Sequence, residues 1–445
     1  MMIGCLCALG LGLASGAAAD LSSQSSEWPP LPLERAYDLA LSSDQSIQIA
    51  YWEARKANLL PWSALAKTMG PQLSASGNLS HDETTSRFNG ISTTGSATGI
   101  RTDAGGLGLS ASQPLIDATV FPSYKIGKIS VQTTRLQHRF TVRGVLFSVA
   151  KAYYEVLTQQ RIVEENRLAL ELNGKQLDYA QKREEVGEVT RADELRASVA
   201  VEAARRTLIE SENLLLADRN VLANLLNLPD DHFQLVEPKD YPPSSEPFEK
   251  LLTTAYDSRE DLRVAELAIE QDKQRHNVVI GQYFPSVAAK WGGNLTQSQS
   301  ATTKSNDQWN AVVSVDVPIF TGGQRELDMI STREQITQTR LQKQILAKQI
   351  QEDTKVAWLT CRSLSQTLKA LALQVKAAEQ SYQDLDNQYR AGSATSLDVL
   401  SALNDLNASR RDLTVQTYAY QVALRNLEQV SGVFQQQRIE QVKIR

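Results

Sequence analysis

The chain has 445 residues, 42 % hydrophobic and 22 % charged, which is enough apolar material for a large core and too much for a disordered polymer. Its 46 basic and 51 acidic residues leave a net charge of -5, so there is no basic field to hold nucleic acid or anionic headgroups. Three cysteines in such a length exclude a disulfide-stapled scaffold.

The chain opens MMIGCLCALGLGLASGAAAD. An apolar run from Ile3 to Leu13, followed by small residues through Ala17, Ala18 and Ala19, reads as a secretory signal over 1–19 cut before Asp20. The run falls well short of the roughly 20 residues that span a bilayer as a helix. Cys5 and Cys7 leave with the signal, so the mature chain keeps Cys361 alone and depends on packing and assembly for stability. No later run of 18 apolar residues follows, so entry into a membrane is expected only by strands.

The first repeat is expected over 20–228. It starts with a helix over about 33–68, then a β-hairpin over about 71–117 in which Leu73, Ala75 and Leu79, and on the return Leu107, Leu109 and Ala111, alternate with polar or small residues. Proline is absent from Ser123 to Leu228. That permits a helix over 120–182, about 90 to 100 Å long at 1.5 Å per residue, and a half-length helix over 191–227. A proline-rich, acidic stretch over 229–247, PDDHFQLVEPKDYPPSSEP, reads as a linker.

The second repeat, over 248–432, has the same order: a helix over 248–282, a hairpin over 285–320, a long helix over 326–389 and a half-length helix over 396–430, with a tail over 433–445. In its hairpin Val287, Ala289, Trp291, Gly293 and Leu295 alternate with Ser286, Ala288, Lys290, Gly292, Asn294 and Thr296, and Trp309, Ala311, Val313, Val315 and Val317 alternate with Asn310, Val312, Ser314 and Asp316. Strands with one greasy and one mostly polar face suit a barrel with lipid outside and water inside, and Trp291 and Trp309 are candidates for its interfacial belt. A hairpin resting on the helices, with the tryptophans as ordinary packing, is the alternative. Four strands cannot close a barrel, so other copies must complete it, and three copies give twelve strands with room for a pore.

The two halves are versions of one unit. Between Gly187 and Leu208 a shift of 205 gives nine identities in 22 positions, among them Gly187/Gly392, Thr190/Thr395 and Asp193/Asp398, where chance supplies roughly one or two. Leu364, Leu368, Leu371, Val375, Ala378, Tyr382, Leu385 and Tyr389 step by four and three, the seam of a coiled coil. Val201, Leu208, Leu215 and Leu222 step by seven, as do their images Leu406, Leu413, Tyr420 and Leu427.

Tandem units of helix, hairpin, long helix and half-helix, with QPLID from Gln113, VPIFTGG from Val317 and QYRAGSATSLDVL from Gln388, resemble the TolC-type outer membrane factor family over essentially the whole mature chain. The resemblance implies a mainly α fold with a β-barrel part: a homotrimeric 12-strand β-barrel in the outer membrane, continued by a 12-helix α-barrel in the periplasm. It also implies an exit duct that docks a periplasmic adaptor and an inner-membrane transporter, for efflux or type I secretion. By the same resemblance the Gly187 and Gly392 turns form the periplasmic tip. Asp193 and Asp398 would face its constriction and Tyr389 would belong to a latch. Asp405, seven residues after Asp398 and so on nearly the same helix face, is a candidate for a further luminal carboxylate. The chain departs from the family pattern at Ala394, where an arginine ties the gate in relatives, and at Ser401, where a second acid is common.

A structural role competes for these residues. Thr190 to Asp193 and Thr395 to Asp398 read as capping boxes, and Gly187 and Gly392 as left-handed helix ends. His81, His138, His232 and His276 are scattered without ligand spacing, GGLG from Gly105 lacks the Lys-Ser/Thr of a phosphate loop, and no nucleophile elbow occurs. The expectation is therefore a non-enzymatic chain with no metal and no cofactor. A periplasmic coiled-coil adaptor without a pore is the second reading, distinguished by solubility without detergent.

Overall fold

A computed structural model describes residues 29–85, 99–238, 246–298 and 306–442. The expected signal, the tips of both hairpins and the middle of the linker lie outside the described residues. The elements in chain order are β1 (Pro30–Leu31), α1 (Leu33–Ser43), α2 (Gln45–Ala57), α3 (Leu60–Met69), β2 (Gln72–Thr85), β3 (Gly99–Ile116), α4 (Val120–Glu185), α5 (Arg191–Leu225), β4 (Gln234–Leu235), α6 (Phe248–Ser258), α7 (Glu260–Gly281), β5 (Ser286–Ser298), β6 (Asn306–Asp316), α8 (Gln324–Arg390), α9 (Ser396–Val430) and α10 (Gln436–Gln441).

Duplication is written into the backbone. The helices α5 and α9 are both 35 residues long and begin 205 residues apart, and α4 and α8 have 66 and 67 residues. Left-handed residues close each copy at equivalent places, Asn227 (φ 51°) with Gly432 (φ 76°), and Gly187 (φ 78°) with Gly392 (φ 82°). The single helix expected over 33–68 is broken twice. Asp44 accepts from the Ile47 N–H at 3.0 Å and restarts the chain as the cap of α2. Pro61, which has no N–H to donate, sits in the first turn of α3. The helix expected over 248–282 breaks once, at Arg259, whose extended backbone (ψ 124°) caps α7.

Two compact units draw on both repeats. One contains the chain up to Ser43 together with Val149–Pro242 and Leu368–Gln421. There the seam residues from Leu368 to Leu385 are half-buried between exposed neighbours and end at buried Tyr389. Val201, Leu222 and Leu406 are likewise buried, each such side chain contributing about 1.5–3 kcal/mol relative to exposure. A two-stranded parallel ladder of β1 with β4 is pinned by Tyr153. Its fully buried hydroxyl lies 2.8 Å from the Leu31 carbonyl and 2.7 Å from that of Val236, and accepts the Val236 N–H.

The other unit contains Asp44–Ser148, Pro243–Thr367 and the chain from Val422. Its interior includes Ala255, Leu262 and Ile350, with Leu346 packed against them. Buried Arg143 donates to Glu260 at 2.6 Å and to the Phe434 carbonyl at 2.9 Å, so the final turns are tied to α4 and α7. The same unit holds a four-stranded antiparallel sheet in the order β2-β3-β5-β6. Among the described residues no helix is long and apolar enough to cross a membrane.

Candidate functional site

The sheet has two chemically opposite faces, and its register determines which residues share each. Leu73, Ala111, Trp291 and Ala311 form one row, Ala75, Leu109, Gly293 and Trp309 the next, and Gly77, Leu107, Leu295 and Asp307 a third. Apart from Asp307 these three rows are apolar, with Gln113, Gln297 and His81 at the margins of the same face, and the face is uncovered: Leu73 is 77 % exposed, Leu79 94 % and Trp309 73 %. The intervening rows are Gln72, Ser112, Lys290 and Val312, then Ser74, Ser110, Gly292 and Asn310, then Ser76, Gly108, Asn294 and Gln308. Serine hydroxyls meet across strands here, Ser74 and Ser110 at 2.7 Å.

Glycine adjusts both faces. A Cβ at Gly108 would stand 2.8 Å from the Ser76 hydroxyl and 2.9 Å from the Asn294 amide oxygen, so its absence seats the polar side chains on either side. On the apolar face the Trp291 ring lies across Gly293. Strands β2 and β6 are the edges of the sheet, each with a row of backbone donors and acceptors facing outward. An apolar face this size needs hydrocarbon, the opposite face needs water, and the edges need further strands.

The second group of candidate residues lies where α4 turns into α5 and α8 into α9. Both turns end the incoming helix with the same hydrogen bonds. Gly187 N–H donates to Glu184 and Glu188 N–H to Arg183, as Gly392 N–H donates to Tyr389 and Ser393 N–H to Gln388, a Schellman pattern that requires the left-handed glycine. Both then start the outgoing helix with a capping box. Asp193 accepts from the Thr190 N–H at 3.2 Å and hydroxyl at 2.8 Å, and Asp398 from those of Thr395 at 3.0 and 2.6 Å. These threonine hydrogen bonds hold both carboxyls below the usual aspartate range, Asp193 having Arg196 at 3.0 Å in addition.

Around buried Tyr389 the structure assembles residues that sequence reasoning missed. The Arg183 guanidinium donates to the Tyr389 carbonyl at 3.0 Å, pairs with Glu188 at 2.9 Å, and lies 5.2 Å from the Tyr389 ring centroid and 5.8 Å from that of Tyr179. Tyr179 meets Tyr389 edge-on at 5.5 Å. Arg390 pairs with Asp386 at 2.9 Å, and Asp386 accepts from the Gln176 amide at 2.7 Å. Burial pushes the Tyr389 phenol up, opposed by the positive charge of Arg183. Position 394 is alanine, and the arginine that contacts Tyr389 is Arg183, which comes from the other repeat. A signal was present, since Gln176 and Arg183 are seven residues apart, as are Tyr382 and Tyr389, but heptad spacing does not reveal the facing partner.

Not every candidate joins this cluster. Asp405 is exposed and lines a shallow groove with Gln374, Ala378, Ala402 and Ser409. Asp398 is also exposed, whereas Asp193 lies close enough to Tyr389 to raise its phenol slightly.

Comparison with known proteins follows the same lines. The family profile described as outer membrane efflux protein matches residues 36–228 and again 251–433. The chain is 22 % identical over 351 residues to the outer membrane protein TolC of Vibrio cholerae serotype O1, covering 75 % of this chain and 78 % of that protein. It is 23 % identical over 436 residues to the proteases secretion protein PrtF of Dickeya chrysanthemi, covering 92 % and 89 %. The solved outer-membrane channel OprN superposes with a TM-score of 0.74 at 15 % identity, over 90 % of this chain and 89 % of that one.

Proposed function

Because the chain belongs to the outer membrane efflux protein family, we propose that it is the outer-membrane exit duct of a three-part export machine, passively conducting substrates received from an inner-membrane transporter and a periplasmic adaptor. The observation that carries this reading is the sheet: one apolar face, one face of hydroxyls and amides, and two edges. Hydrocarbon tolerates strands only in a closed barrel, so four strands per chain call for further copies. Three copies make a twelve-strand wall around water, whereas two make eight strands whose interior fills with side chains. Trp291 and Trp309 on the apolar face supply interfacial anchors.

In this reading the turns at Gly187 and Gly392 form the periplasmic tip, and the Arg183–Tyr389 contact holds the two turns of a subunit together in the closed state. Asp193 and Asp398, both ionised at neutral pH, make the entrance attractive to cations. Efflux and type I secretion both use such a duct, and the secretion protein PrtF supports the second use as the family's description as outer membrane efflux protein supports the first. An adaptor would leave the amphipathic sheet without purpose.

The test is to purify the full chain in detergent, weigh the particle by light scattering and reconstitute it in planar bilayers. Three copies per particle and stepwise conductance are expected. A single-copy species, soluble without detergent and silent in bilayers, overturns the reading.

A further inference from the structure

The polar face of the sheet is lined mainly by hydroxyls, amides and glycines, with Val312, Pro114 and Ala288 among them, and among residues with described side chains it carries one cation. Lys290 occupies the row of Gln72, Ser112 and Val312. The row on one side holds Ser74, Ser110, Gly292 and Asn310, and the row on the other holds Pro114, Ala288 and Ser314, so no carboxylate stands beside it. The next charge on this face among residues with described side chains is Asp316, four residues along β6 from Val312 and about 13 Å away. Lys290 is exposed, and an ammonium directed at lipid would cost about 2–4 kcal/mol at the bilayer midplane. Its place on the hydroxyl and amide face puts it in water.

We propose that Lys290 gives the barrel of the duct a cationic belt that favours anions and anionic cargo, opposite in sign to the acidic turns at Gly187 and Gly392. This rests on the exit-duct reading above. Twelve strands spaced about 4.8 Å apart and tilted about 40° close at a radius of about 12 Å. A lysine reaches roughly half that distance from the wall, which leaves three ammonium groups a few ångströms from the axis. The screening length is about 10 Å at 0.1 M salt and about 3 Å at 1 M. The belt therefore commands the whole lumen at physiological salt and only its own wall at high salt. The surrounding amides and hydroxyls bind neither sign strongly, so the lysines set the selectivity of this segment.

The experiment uses the full-length protein in planar bilayers under a potassium chloride gradient, with the permeability ratio of potassium to chloride read from the reversal potential. With the mean salt near 0.1 M, Lys290→Gln is expected to raise the ratio about twofold and Lys290→Glu about fivefold, with both effects vanishing near 1 M. Lys290→Arg keeps the charge and is expected to match wild type. If Lys290→Glu does not assemble, the Gln and Arg pair carries the test. Channels of normal conductance whose ratio ignores residue 290 overturn the belt and leave the duct intact. A silent wild type removes the duct and the belt together.

Discussion

The two turns at the ends of α4 and α8 share a backbone and differ in what they reach. Each has a left-handed glycine, a Schellman pair and a Thr-Asp capping box, because a helix must be ended and restarted whatever the turn does afterwards. The side chains beside those signals have diverged. Arg183 in the first copy corresponds to Gln388 in the second, and Glu184 corresponds to Tyr389, so the first turn supplies the cation and the second the aromatic ring and carbonyl it grips. Asp193 has Arg196 beside it, while the equivalent of Arg196 is Ser401. Duplication preserved the punctuation of the fold, and divergence made the halves complementary.

The sharpest way to break this comparison is to remove the grip from one side only. A hydrogen bond from a charged donor contributes about 1.5–3 kcal/mol, so Arg183→Ala is expected to shift the closed-to-open balance toward open by about tenfold to a hundredfold. Single-channel open probability reads this directly, and Gln388→Ala should leave it unchanged. Equal responses from both variants would refute the asymmetry.

The shared backbone predicts symmetry instead. A Cβ at Gly187 or at Gly392 meets nothing within 4 Å, so alanine there costs only the left-handed backbone penalty, about 1–2 kcal/mol. Thermal unfolding of Gly187→Ala and Gly392→Ala should show similar losses, and a large loss at one turn alone would contradict equivalent turns.

The smallest expected effect comes from acid. Both cap aspartates have folded-state pKa values below their unfolded ones, with threonine hydrogen bonds as the leading cause. Their contribution is complete above the unfolded value of about 3.9 and is lost as pH falls through the lower folded value. Melting curves between about pH 6 and 3 should therefore decline less in the Asp193→Asn, Asp398→Asn double variant than in wild type. Parallel declines would mean that the caps do not titrate in this window.

Much of the fold was legible because it rests on short-range rules. Two-residue alternation correctly grouped Val287 to Leu295 and Trp309 to Val315 by face, since side chains on a strand have nowhere else to point. Missing prolines marked the long helices. The breaks at Asp44 and Arg259 were not legible, because an aspartate cap and a single extended residue are weak signals inside a strong helical pattern. Of the turn residues, the glycines and caps are local and were found. Arg183 and Tyr179 act on Tyr389, and Gln176 on Asp386, from some 200 residues away, and no window along the chain brings them together. Lys290 was visible in the strand, but only the register revealed that its rows contain no acid.

The open edges at β2 and β6 also have a genetic consequence. If three copies share one wall, each copy is the neighbour of both others, and a subunit unable to pair at one edge spoils every assembly it enters. Equal expression of sound and defective alleles would leave about one assembly in eight wholly sound, so edge mutations should behave as dominant, whereas loss of a whole copy should be recessive.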